Sequence, residues 1–245
     1  MIDIDIQKVV TLIQQGYTIT SIASKFCVSR NTIHRKLKNH GIQSQRLKFN
    51  HDFFADIDSE FKAYWLGFIM ADGCVSISQS PKVQIRLHKK DYNHIVKWHS
   101  AIDSIVKINL SHIHNTVSST HYSTKMCDDL IKLGCVPRKS LVLTFPNVSL
   151  DLIRHVIRGY FDGDGSFYLN PKTKNAKLQF VGTYMVLDTI QNALGTSVKL
   201  QKPSNAYVLC IHGNIQVRKC LQYMYQGSHV FLDRKKEMVN AYLSV

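Results

Sequence analysis

The sequence is short of acid. Its 245 residues hold 17 Asp and Glu against 31 Lys and Arg, a net charge of +14. A deficit of that size points to a polyanionic partner, nucleic acid before membrane. No apolar run approaches the length of a bilayer-spanning helix. The opening residues, MIDIDIQKVV, lack the apolar core of a secretory leader, so a cytoplasmic (bacterial or phage-host) or organellar-matrix location is expected. The six cysteines, at 27, 74, 127, 135, 210 and 220, form no C-x-x-C pair and no regular framework, which argues against both a disulfide scaffold and a thiolate zinc site. His112 and His114 stand two apart with no Cys pair nearby and do not make a zinc site either. With only 12 Gly and 5 Pro, low complexity is not expected, and the length suffices for one large or two modest cores.

What is present divides into a small N-terminal module and a duplicated remainder. The segment IDIQKVVTLIQQG has helical apolar spacing that ends at Gly16. TITSIASKFCVSRNTIHRKLKNHGI then predicts a short helix near 20–26, a tight turn at Cys27-Val28, and a helix from Ser29 to about Asn39. Ile22, Phe26, Val28, Ile33 and Leu37 fit one buried face. Arg30, Asn31, His34, Arg35 and Lys38 are left outward, side chains suited to phosphates and major-groove edges. The stretch resembles the helix-turn-helix of serine recombinases and invertases, with Cys27 where the turn usually has glycine. Residues 1–45 are read as this DNA-binding module and 46–58 as a linker.

Beyond residue 58 the chain repeats itself, as residues 59–148 and 149–245. Each half reads helix–strand–strand–helix–strand–strand–helix, which implies an α+β fold of two αββαββα repeats about a pseudo-twofold axis. The strands alternate with period two. In 82–88 the residues Val83, Ile85 and Leu87 oppose Lys82, Gln84 and Arg86; in 105–111 apolar residues oppose Lys107 and Asn109. Lys177 and Gln179, then Lys199 and Gln201, continue the pattern in the second half. Such faces, rich in long hydrogen-bonding side chains and nearly free of carboxylates, suit DNA reading. An Arg-Lys pair follows the last predicted helix of each half, Arg138-Lys139 and Arg234-Lys235, and is counted among the expected DNA contacts.

Two helices finish alike, in AYWLGFIMADGCV (63–75) and HVIRGYFDGDGSF (155–167). Gly67 and Ala71 share one helical face, as do Gly159 and Gly163, and small residues at that spacing let two backbones approach closely. If those helices pack on each other, Asp72 and Asp164 become neighbours at the negative ends of two helix dipoles, unfavourable on both counts. Divalent cations would offset that cost, and Mg²⁺ takes few carboxylates together with waters and phosphate oxygens. DGDGSF is not an EF-hand loop, since Phe167 and Thr173 stand where glycine and glutamate are needed.

Residues 59–245 resemble a single-chain, two-motif LAGLIDADG homing endonuclease, with WLGFIMADG (65–73) and IRGYFDGDG (157–165) filling the motifs. The resemblance implies a double-strand DNA endonuclease acting across the minor groove and leaving short 3′ overhangs. Asp72 and Asp164 would be the metal-binding acids, with the carbonyls of Ala71 and Gly163 as added ligands. It implies Mg²⁺, with Mn²⁺ as a substitute, double-stranded DNA as partner, and a monomer. Met70 departs from the usual acid at the sixth motif position. By similarity Lys89 and Lys125 would stand near the attacking water in the first half, with Gly182 and Gly213 at the matching places of the second. A non-cleaving transcription regulator or an RNA-splicing maturase on the same scaffold is the alternative.

Overall fold

The computed structural model describes residues 4–15, 17–42, 48–137 and 142–244; Gly16, Arg138 and Lys139 lie outside these. The N-terminal module is three helices, α1 (Ile6–Gln14), α2 (Ile19–Lys25) and α3 (Arg30–Asn39). Each start is capped by a side-chain oxygen that takes up an unpaired backbone N–H: Asp5 for α1, Thr18 for α2 and Ser29 for α3. Ile4, Val9, Ile13, Ile22, Ala23, Ile33 and Leu37 form a core of their own, with Phe26 and Val28 packed half-buried beside it. Cys27 turns the chain between α2 and α3 at φ +51°, a conformation that costs a non-glycine residue. Arg30, Asn31, His34, Arg35 and Lys38 are all exposed.

The first repeat runs α4 (Glu60–Asp72), β1 (Gly73–Ser76), β2 (Lys82–His88), a 3-10 turn (Lys89–Asp91), α5 (Tyr92–Ala101), β3 (Asn109–Ser111), β4 (Thr116–Tyr122) and α6 (Thr124–Lys132). The second runs α7 (Leu150–Asp164), β5 (Ser166–Leu169), β6 (Ala176–Gly182), α8 (Tyr184–Ala193), β7 (Tyr207–His212) and α9 (Asn214–Tyr225). The fold is thus α+β, with antiparallel sheets ordered β1-β2-β4-β3 and β5-β6-β7. Helix α4 is apolar on every side, and Ala63 through Met70 are all buried. It forms the centre of the molecule with α7, and the sheets and remaining helices of both repeats close over the pair as one core.

Four sequence expectations differ from what is seen. The strand read over 105–111 is only Asn109–Ser111, because the chain before it pairs elsewhere: Ile105 N–H donates to Lys48 O and Asn50 N–H to Ile102 O. Lys107 therefore lies exposed ahead of the strand. The same pairing, with Phe53 and Phe54 buried against α5 and Phe49 against His121 of β4, makes residues 48–58 part of the packed body, where a linker was expected. The strand read over 197–203 is reduced to a single bridge, Gln201 to Val208, although Lys199 and Gln201 do face out while Val198 and Leu200 pack inward. Finally, the chain adds a helix that the repeat pattern did not foresee, α10 (Asp233–Leu243).

Neutral histidines are built into the core. The Trp98 indole N–H donates to His121 Nδ1 at 3.4 Å, which leaves Nε2–H of His121 to donate to Ser104 Oγ at 2.9 Å. Burial, reinforced by His99 and His51, lowers the His121 pKa to about 3, and burial beside Lys97 and Arg234 does the same for His94. The unfolded chain takes up these protons below about pH 6.5 while the folded chain does not. Stability is therefore full above that pH and falls as the pH drops toward 3. Between pH 7 and pH 5 each of the two should cost about 2 kcal/mol. Urea unfolding at the two pH values checks this; equal stability at both would show that the rings are protonated inside the fold.

Candidate active site

The site begins with two helices that touch without side chains between them. A Cβ placed on Gly67 would lie 2.0 Å from the Val156 carbonyl oxygen, and one on Gly159 would lie 2.0 Å from the Tyr64 carbonyl oxygen. The contacts are reciprocal: Gly67 meets Val156 and Tyr160, Gly159 meets Tyr64 and Phe68, and these pairs occupy matching motif positions. That is the signature of a twofold relation. Farther along, Gly163 abuts Ala71, and a Cβ on it would sit 3.3 Å from the Asp72 amide nitrogen. The C-terminal ends of α4 and α7 are therefore side by side. Asp72 and Asp164, the last residue of each helix, are both exposed there, with Ala71 and Gly163 half-buried just behind them.

Each acid leads directly into a sheet. Gly73 follows Asp72 and opens β1; Gly165 follows Asp164 and precedes β5. Register then fixes the open faces. Cys74, Gln84 and Thr120 are level with one another, as are Ser76, Lys82 and Tyr122, while Arg86 pairs with Ser118. Asn109 extends this row from β3 beside Ser118. In the second sheet Ser166, Gln179 and Cys210 are level, and Tyr168, Lys177 and His212 likewise. The side chains read as the polar faces thus do share those faces, and each face starts at an acid.

Lys235 belongs to this centre, although the sequence reading placed it among exposed contacts. Only 6% of it is accessible. Its ammonium donates to the carbonyl oxygen of Phe161 and, at 2.6 Å, to that of Gly165, two groups that straddle Asp164 at the end of α7. A cation there complements the negative pole of the helix. Burial lowers its pKa to about 8, against the attraction of Asp162, Asp72 and Asp164, so both motif acids act on this one lysine. Its neighbour Arg234 is exposed and pairs with Asp91 at 3.2 Å, a contact from the second repeat to the first.

Asp162 explains why Lys235 is where it is. Wholly enclosed, its carboxylate accepts from Tyr64 Oη at 2.8 Å, from Tyr225 Oη, and from the Leu232 N–H at 2.7 Å. Burial raises its pKa despite Lys235 and these donors. It thereby ties α4, α7 and α9 to the chain just before α10. The matching place in the first motif holds Met70, buried and unable to make such bonds. A second buried charge, Arg158 on α7, donates to Glu60 Oε1 at 2.7 Å and to the carbonyls of Val230 and Met224. The sequence signal for both was a charged residue on the otherwise apolar helical face of the motif.

Lys125 and Lys89 fall differently. Lys125 lies past β4, whose last residue Tyr122 pairs with Lys82, whereas Asp72 adjoins the Ile85 end of β2. That is roughly 10 Å farther along the sheet, at about 3.3 Å per residue. Its ammonium is bound to Asp129 and lies 3.7 Å from Asp52. The expectation that Lys125 serves the reacting centre is corrected: two local carboxylates hold it elsewhere. Lys89 is the exposed first residue of the 3-10 turn after β2, its N–H donating to Asn115 O. Gly182 leaves room for the Tyr160 hydroxyl, which a Cβ would approach to 2.5 Å.

Two carboxylates and the adjoining carbonyls make an all-oxygen donor set. Among the described residues no group of three or more His, Cys, Asp or Glu is arranged to hold a metal ion. The set therefore fits a hard cation that keeps part of its shell as water and substrate oxygen, and does not fit a closed structural site.

Residues 2–40 match the family of helix-turn-helix domains of resolvase. No curated protein matches the chain in sequence. Among solved structures, the LAGLIDADG meganuclease I-AabMI, bound to uncleaved DNA, superposes with a TM-score of 0.53 at 14% identity, over 76% of this chain and 90% of that one. The I-LtrWI LAGLIDADG homing endonuclease bound to target DNA gives 0.52 at 10% identity, over 75% and 89%. I-SmaMI bound to cleaved DNA gives 0.54 at 12%, over 77% and 88%. Paired helices, abutting acids and two open sheets together are the LAGLIDADG homing endonuclease fold, which this chain carries behind a resolvase-type helix-turn-helix.

Proposed function

We propose that the protein is a site-specific, divalent-metal-dependent endonuclease that cuts both strands of a DNA duplex. The observation that carries this reading is the meeting of Asp72 and Asp164 at abutting helix ends, one opening into a sheet whose free face bears Lys, Arg, Gln and Asn, the other into one that bears Lys, Gln and His. The duplex lies along both open faces, with Lys82, Gln84, Arg86 and Asn109 on one half-site and Lys177 and Gln179 on the other. Lys107 and Lys199 reach the flanks, Gln201 lies level with Val208, and the exposed face of α3 takes a further major groove. Neutralising phosphates with these cations supplies most of the sequence-independent affinity.

Asp72 and Asp164, with the carbonyls of Ala71 and Gly163, would hold Mg²⁺, for which Mn²⁺ would substitute. The metal would supply Lewis-acid stabilisation to the phosphate oxygens and acidify water for in-line attack. The acids position that chemistry at one phosphodiester per strand across the minor groove, which leaves short 3′ overhangs. Lys235 sets a fixed positive charge against the charge that develops on the phosphate. Both acids belong to one chain, so the active form is a monomer. Arg138 and Lys139, the basic pair after the last helix of the first repeat, are assigned to the DNA on their charge. Lys89, exposed beyond β2, is assigned with Arg86 and Lys90 to the basic surface on the side of Asp72.

The test is direct. Purified protein with Mg²⁺ and a randomised duplex library should yield paired cut ends at one sequence. Duplex binding without cut ends in either Mg²⁺ or Mn²⁺ would instead make it a DNA-binding regulator or a maturase. On the identified site, Lys235→Met should slow cutting roughly 10²–10³-fold, the usual effect of losing one fixed group that stabilises developing charge. Filter binding should change little. Unchanged cutting would remove Lys235 from the centre.

A further inference from the structure

The two open sheets are alike at their outer ends and unlike beside the acids. Counting from the acid, Lys82 and Lys177 match, and Gln84 and Gln179 match. One step nearer the acid, the first sheet presents Arg86 across from Ser118, and the second presents Val181 across from Val208. Both valines are only half-buried. Neither packs with the hydrophobic core, which lies on the other side of β6 and β7 beneath Leu178, Phe180, Leu209 and Ile211. Cys210, the next residue of that face, also stands outside the core cluster. The second repeat therefore shows an aliphatic pair, with Gln201 at its outer edge opposite Val208, on the face that otherwise carries Lys177, Gln179 and His212.

Valine neither donates nor accepts a hydrogen bond. Set against a base edge that shows only donors and acceptors, it strips water from them and returns nothing. The major groove offers one apolar group, the C5 methyl of thymine. Arg86, by contrast, carries the fork that matches guanine O6 and N7. We infer that Val181 and Val208 form a methyl-reading subsite, which selects thymine at the base pair of the second half-site nearest the cut, where the first half-site is read by Arg86. This rests on the endonuclease reading above and adds to it that the target departs from twofold symmetry at that layer.

The experiment replaces thymine by deoxyuridine, which removes the methyl and nothing else, one position at a time on the identified target. At one thymine next to the cut in the second half-site, deoxyuridine should weaken binding about four-fold, the worth of one buried methyl. Installing 5-methylcytosine in place of cytosine there should recover part of the loss caused by a T-to-C change. Val208→Ser, which gives the second sheet the residue type of Ser118, should bring the thymine-to-deoxyuridine ratio close to one at that position alone. Thymine and deoxyuridine bound equally by the parent protein at every position of that half-site would overturn the subsite. So would a ratio that Val208→Ser and Val181→Ser both leave unchanged. Those results leave cleavage intact and so leave the endonuclease reading standing, whereas a protein that engages no duplex overturns both.

Discussion

Asp72→Asn and Asp164→Asn should each abolish double-strand cutting, a fall of roughly 10³-fold or more. Replacing a carboxylate by an amide keeps shape and hydrogen-bonding reach but removes the charge that a hard cation requires. Losing about 4 kcal/mol of charge stabilisation corresponds to those three decades of rate. Both side chains are exposed at the helix ends, so the fold should hardly respond. A surface charge in this setting is worth about 1 kcal/mol or less. Target binding should persist, because the sheet faces and α3 are untouched. Strand-resolved cleavage of end-labelled target measures the rate, and a thermal scan measures the fold. A variant that cut both strands at the parent rate would end the assignment of the acids to the metal.

Gly159→Ala should be among the most damaging small substitutions at the described residues. Its new methyl carbon would fall 2.0 Å from the Tyr64 carbonyl oxygen and 2.8 Å from the Phe68 amide nitrogen. Both obstacles are backbone, so no rotamer change relieves them and the helices must part. Overpacking that side chains can absorb costs about 1–3 kcal/mol; here the cost should exceed that range and take up much of a typical domain's stability. Gly67→Ala, facing Val156 O at 2.0 Å, should behave the same way. Gly163→Ala offers the contrast. Its obstacle is the Ala71 side chain at 2.4 Å, so pairing it with Ala71→Gly should restore much of the loss. Urea unfolding of the single and double variants reads this out. If Gly159→Ala were as stable as the parent, the helices would not be in backbone contact.

The parts legible in the sequence were those written in local periodicity. Alternation in 82–88 puts Lys82, Gln84 and Arg86 on one face, and the paired small residues bring Asp72 and Asp164 together. What stayed hidden depended on partners far along the chain. Lys235 looks solvated beside Arg234 and Lys236; only the carbonyls of Phe161 and Gly165, some seventy residues earlier, make its burial possible. Helix α10 was missed because a repeat pattern predicts only what both halves share. Lys125 was misplaced because Asp129, one helical turn on, and Asp52, before the first motif, draw it away from the acids. The strand over 105–111 has the right alternation, but Lys48 takes the Ile105 N–H and Asn50 bonds Ile102 just before it.

Helix α10 bears on how such a protein can be recombined. Although it follows the second repeat in the chain, its first residues are fastened to the first: Asp233 to Lys97, and Arg234 to Asp91. Lys235, next in line, then stands between acids contributed by both repeats. The gene is a tandem of two similar units, yet its product is not a pair of interchangeable parts. A second repeat grafted onto a foreign first repeat would keep α10 seated through Lys235 but lose both ion pairs at its start unless Asp91 and Lys97 came too. Shuffling half-sites to make new target specificities therefore has its natural seam on the sheet faces and not between the repeats.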